Sequence, residues 1–177
     1  MKKKIIVSEI FPKGFNEITK NHKDWIELFP KALTFGPEDN RPLLLLKDQA
    51  ETYTLPVWLG SLDAAVATVQ ENPMVPESSP HKTTLQILRS LNLELTHCLF
   101  TEVTGLHQYV ELCFKSKGGV DHVRCRADES MSLCLLARAR FFSPIELIRK
   151  AQKVDVQLID VGIQEKQDLD PSNIYLN

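Results

Sequence analysis

The sequence predicts an α+β fold in a single compact domain, a mainly antiparallel mixed sheet with short helices packed on it. Three observations carry this expectation. Segments with strand patterning come in runs, as do segments with helical spacing, which is the order of an α+β chain rather than of a parallel α/β one. A Gly118/Gly119 pair separates two alternating segments, as a hairpin requires. Finally, 43% of the 177 residues are hydrophobic and 25% are charged, enough apolar material for a core, which excludes disordered, collagen-like and low-complexity classes.

Residues 1 to 24 show no firm period and read as an N-terminal appendage, with the domain over residues 25 to 151 and an acidic tail over 152 to 177. Three strands are expected first. Ile26 to Phe35 is followed by the turn signal GPEDNRP (Gly36 to Pro42), then by the unbroken apolar run Leu43 to Leu46, then by Thr52 to Leu59. The unbroken run predicts a strand covered on both faces. Gly60 ends the third strand and Ser61 is a good N-cap, after which Leu62, Ala65, Val66 and Val69 fall at helical spacing to about Glu71. Ser79 and Pro80 form a second cap and first turn, with a Leu85, Leu88, Leu91 stripe that Asn92 ends.

Three more strands follow. Leu93 to Val103, Gln108 to Lys115 and Val120 to Arg126 alternate and form a meander. Asp128 is then expected to cap a helix through about Arg138, and the Ser143-Pro144-Ile145-Glu146 signal, a capping box with Pro at the first helical position, to open a last helix to about Ala151.

Net charge is −2, with a pI near 6.2, so no global basic field advertises nucleic acid. The distribution is uneven. Lys115 to Lys153 holds nine Lys and Arg against four acids, whereas Asp155 to Asn177 holds five acids against Lys166. A polyanion site with its own acidic cover is one reading of that asymmetry, and a solvated face beside a loosely ordered tail is the other. Only Ile5 to Val7 is apolar after the opening lysines, so no signal-peptide core is expected, and no run approaches the length of a membrane span. Cys98, Cys113, Cys125 and Cys134 form no CxxC pair and have apolar neighbours, which predicts buried free thiols and a cytoplasmic location.

No P-loop, GxGxxG, HExxH or GxSxG motif is present, and the five histidines lack metal-ligand spacing. The chemistry-bearing residues stand at helix starts and strand ends. Asp63, His81 and Glu129 each fall in the first turn of an expected helix. An acid there is stabilised by the helix dipole alone, by about 0.3 to 1 kcal/mol. If instead the helix starts converge, Asp63 and Glu129 would bind Mg²⁺ or Mn²⁺ and activate water against a phosphodiester. Arg124 and Arg126, on the strand leading into Glu129, would hold the phosphate, or else pair with Asp128 or Glu129. His81 is either an exposed first-turn histidine or a general acid or base, since histidine titrates near working pH. Trp58 reads as a packing residue rather than a base-stacking one.

Three segments, LPVWLGSLDAAVA (Leu55 to Ala67), SPHKTTLQIL (Ser79 to Leu88) and RADESMSLCLLARARFFSPIELI (Arg126 to Ile148), in that order and spacing resemble the bacterial bifunctional nuclease domain family. The resemblance covers about Trp25 to Ala151. It matches Asp63 and Glu129 to the family's carboxylates, each with altered length, His81 to the histidine of its THD segment, and Arg126 to its arginine. Lys82 replaces the acid that follows the histidine, and Ala127 replaces a proline. What the resemblance implies is an α+β domain that forms homo-oligomers and, in some members, a nuclease acting on both DNA and RNA. The expected function is therefore metal-dependent phosphodiester hydrolysis of low sequence specificity. The alternative is a non-catalytic oligomeric module that binds a small anionic ligand or a partner protein.

Overall fold

The computed structural model describes residues 24–35, 42–60, 79–105, 107–116 and 119–152. The first expected helix, Ser61 to about Glu71, and Asp63 within it lie outside these residues, as do the turn at 36–41 and nearly all of the appendage and tail.

Seven strands form one mixed sheet curled into a half-barrel: β1 (Trp25–Phe35), β2 (Pro42–Lys47), β3 (Thr54–Trp58), β4 (Glu94–Thr104), β5 (His107–Ser116), β6 (Gly119–Arg126) and β7 (Arg140–Pro144), in the order β3-β2-β1-β7-β4-β5-β6. Every neighbouring pair is antiparallel except β4 and β7. The three helices among the described residues are α1 (Pro80–Ser90), α2 (Met131–Ala137) and α3 (residues 145–152), so the α+β expectation holds. None of them is long and apolar enough to cross a membrane.

β1 bridges the two halves of the sheet. Its first residues, Trp25 to Leu28, pair with β7, and Phe29 to Phe35 pair with β2, with a register shift between Pro30 and Ala32. Proline lacks the N–H that a ladder uses, so an irregularity beside Pro30 is where the strand can change direction. At the free edge of β3, the carbonyls of Thr54 and Pro56 accept hydrogen bonds from the side-chain amides of Gln152 and Gln108, at 2.8 and 2.7 Å. Side chains thus cover that edge where another strand would otherwise pair. The core cluster includes Leu46, Leu55, Phe100, Val110, Met131 and Ile148, each fully buried.

β2 corrects one expectation. Leu44 and Leu46 are buried but Leu43 and Leu45 only half so, which is the alternation of a strand with one principal core face. α1 behaves as its caps predict. Ser79 has extended backbone and its Oγ accepts from the Lys82 N–H at 3.2 Å, Pro80 opens the helix, and Asn92 at φ 56° follows its end.

The region after β6 departs further. Asp128 does not cap a helix: residues Ala127–Glu129 form a 3₁₀ turn, the α2 helix starts at Met131, and the Asp128 carboxylate accepts two hydrogen bonds from Arg126 instead. A charged fork is a stronger donor than a backbone amide, and it takes the carboxylate away from the helix start. α2 ends where Arg138 adopts a left-handed conformation (φ 57°, ψ 36°) and the Ala139 N–H donates to the Cys134 carbonyl at 2.9 Å. The chain then enters β7, a strand absent from the sequence reading. Ser143 and Pro144 belong to this strand rather than to a capping box. Both pair with β1, and the expected last helix follows directly as α3 over residues 145 to 152.

Candidate functional site

β4, β5 and β6 lie side by side, and their ends open into a cleft of about 610 Å³ together with the 3₁₀ turn. Glu102 and Thr104 of β4, Tyr109 of β5, and Arg124, Cys125 and Arg126 of β6 line it, with Glu129 of the turn. The register explains the grouping. Tyr109 pairs with Glu102 on one side and Arg126 on the other, so residues widely separated in sequence form one row across three strands.

Two arginine networks organise this row. Arg126 grips Asp128 with Nε at 3.0 Å from Oδ1 and with Nη2 on Oδ2, while its Nη1 lies 3.7 Å from Glu129 Oε1. The Asp128 carboxylate holds the Arg126 guanidinium pKa above its ordinary value. Arg124 Nη2 donates to Glu102 Oε2, and Thr104 Oγ1 donates to Glu102 Oε1 at 2.5 Å. That Thr104 hydrogen bond, followed by the Arg124 charge, lowers the Glu102 pKa. The Arg124 guanidinium also lies over the Tyr109 ring, 4.9 Å from its centroid.

Glu111 and Cys125 add two titratable groups to this region. Glu111 pairs with Arg124 across β5 and β6, yet its Oε2 is buried without a hydrogen-bond partner, and burial raises its pKa. Cys125 is half-buried, and burial raises its thiol pKa against the opposing hydrogen bond of Ser130. The other thiols, Cys98, Cys113 and Cys134, are free and buried, as expected.

Of the residues singled out in the sequence, Arg124, Arg126 and Glu129 come together in this cleft. His81 sits half-buried in the first turn of α1 and is not among the lining residues. Asp63 lies outside the described residues. Trp58 is half-buried and pairs with Leu43 in the β-ladder. Glu102, Thr104, Tyr109 and Glu111 were not foreseen. Their only signal was the alternation of β4 and β5, which gives a face but not a neighbour.

Among the described residues no three His, Cys, Asp or Glu side chains converge to hold a metal ion. Glu129 is the exposed carboxylate of the turn, at 63% side-chain exposure, whereas Asp128 is 12% exposed and committed to Arg126.

Comparison of the chain with protein-family models finds no match, and comparison with curated proteins finds none either.

Proposed function

We propose that the cleft binds the phosphodiester backbone of DNA or RNA and that the protein is a metal-dependent nuclease of low sequence specificity. The observation that carries this reading is the meeting of Arg124, Arg126 and Glu129 on the rim of one open cleft, a cationic pair beside an exposed carboxylate. Arg124 and Arg126 contact the backbone, Asp63 and Glu129 are the carboxylates for Mg²⁺ or Mn²⁺, and His81 assists proton transfer. A divalent ion so held supplies charge neutralisation and an activated water. Gly60, three residues before Asp63 in the sequence, donates its N–H to the Asp128 carbonyl, which supports a common site for the two carboxylate-bearing segments. The resemblance to the bifunctional nuclease domain family matches Asp63, His81, Arg126 and Glu129 to its motifs and implies a homo-oligomer of bacterial type, while the free thiols support a cytoplasmic location.

The test is a cleavage assay on fluorescent single-stranded DNA and RNA with Mg²⁺ or Mn²⁺, beside Glu129→Gln protein purified identically. Cleavage by the wild type alone is the expected result; equal cleavage by the variant overturns the assignment.

One observation favours a second reading, a non-catalytic module for a small anion or a partner protein. Both arginines are already engaged by carboxylates of the same chain, Arg124 by Glu102 and Arg126 by Asp128. Binding of a phosphorylated small molecule by metal-free protein that leaves nucleic acids intact is the result this reading expects.

A further inference from the structure

We infer that Arg124 and Tyr109 form a stacking platform for a nucleobase, so that the cleft takes single-stranded DNA or RNA in preference to a duplex. The inference rests on the nucleic-acid reading of the cleft and assigns Arg124 a different task within it: its planar face matters rather than its charge.

The geometry begins with β-sheet register. Tyr109 stands directly opposite Arg126, which makes Arg124, two residues back along β6, its diagonal neighbour on the same face. Such diagonal pairs are within reach of long and aromatic side chains. The guanidinium carbon of Arg124 accordingly lies over the phenol ring at 4.9 Å from its centroid. Glu102 then grips the guanidinium through Nη2, and Thr104 fixes the other Glu102 oxygen at 2.5 Å. A guanidinium bonded to a carboxylate is held through N–H groups in its own plane, so its two faces stay free of hydrogen bonds. The guanidinium carbon sits over the Tyr109 ring. The Arg124 side chain is 53% exposed and lines the cleft, where a planar ligand can reach it.

Unpaired bases stack on aromatic rings and on guanidinium planes with little regard to sequence. Bases inside a duplex are already stacked on one another, and reaching a platform requires unstacking them. Arg126 follows Arg124 on the same face at about 6.8 Å along the strand. It thus offers a cation to the backbone next to the stacked base.

The test uses fluorescence anisotropy of the full chain without added metal, so that binding is read separately from cleavage. The probes are a twelve-nucleotide single strand, the same strand with its bases removed, and the corresponding duplex. The substitutions are Arg124→Lys, which keeps the charge but removes the plane, Tyr109→Leu, and Arg126→Ala. The expected result is that the intact strand binds at least about fivefold more tightly than the abasic strand or the duplex, and that Arg124→Lys and Tyr109→Leu each abolish this advantage. Arg126→Ala weakens the intact and abasic strands alike. If Arg124→Lys binds the intact strand as the wild type does, or if intact and abasic strands bind equally, the platform is overturned while a backbone-binding cleft survives. If no strand binds the wild type, the nucleic-acid reading of the cleft fails and the platform falls with it.

Discussion

Gly60 and Asp128 are joined backbone to backbone: the Gly60 N–H donates to the Asp128 carbonyl at 3.0 Å, and a Cβ on Gly60 would lie 3.1 Å from that same oxygen. This contact ties the end of β3 to the 3₁₀ turn that carries Glu129. Backbone cannot step aside as a side-chain tip can, so Gly60→Ala should cost about 1 kcal/mol. Urea unfolding measures this as a lower midpoint with an unchanged slope. An unchanged midpoint would show that the turn yields freely.

α1 depends on its ends, because none of its residues is fully buried. Ser79→Ala removes the side-chain acceptor of the Lys82 N–H and should cost about 1 kcal/mol. Hydrogen exchange should localise the loss to the first turn of α1, where His81 sits, and Ser79→Asp should restore protection there. Uniform loss of protection across the sheet would contradict a local cap.

His97 gives the protein a pH dependence of known sign. Burial, with the Arg140 charge as a second cause, lowers its pKa below the ordinary 6.5. Arg140 is itself held by Glu27 through Nε at 2.8 Å and Nη2 at 3.1 Å. The unfolded chain therefore takes up the His97 proton at a higher pH than the folded one does. The contribution is present in full above 6.5 and is lost as pH falls from 6.5 through the lowered folded-state value. Urea midpoints between about pH 8 and about pH 5 should fall less steeply for His97→Gln than for the wild type. Parallel curves would remove His97 from the account.

Asp128 restrains Arg126. Asp128→Asn leaves the fork with one good acceptor, so stability should drop by about 1 kcal/mol while affinity for a polyanion such as polyphosphate rises. Calorimetric titration at fixed salt tests the second half. A lower polyphosphate affinity would mean that Asp128 orients Arg126 for binding rather than holding it back.

Legibility in the sequence followed the range of the interactions. β1 to β6 showed themselves by alternation, turns and, for β2, an apolar run, and α1 by Ser79, Pro80 and Asn92, all signals written within a few residues of the element they shape. β7 carried no such signal. Phe141, Phe142 and Ser143 are buried in succession, at 3%, 2% and 0% exposure, so no alternation marks the strand, and its partners lie in β1 and β4. In the cleft, Arg124, Arg126 and Glu129 were legible because they are close neighbours along the chain. Glu102 and Tyr109 join them through strand pairing, and Asp128 left its expected cap because Arg126 offered a better donor.

By itself, then, the sequence determined the α+β class, most element boundaries, the buried thiols and the closeness of Arg124, Arg126 and Glu129 along the chain, since these rest on periodicity, caps and burial within short stretches of chain. Only the tertiary structure decided the central place of β7, the bond between Gly60 and Asp128, and the layering of Arg124 over Tyr109 beneath the grip of Glu102. Each of these depends on which residue of one strand or turn lies beside which residue of another. Register of that kind is set by packing the whole half-barrel at once, and no local pattern encodes it.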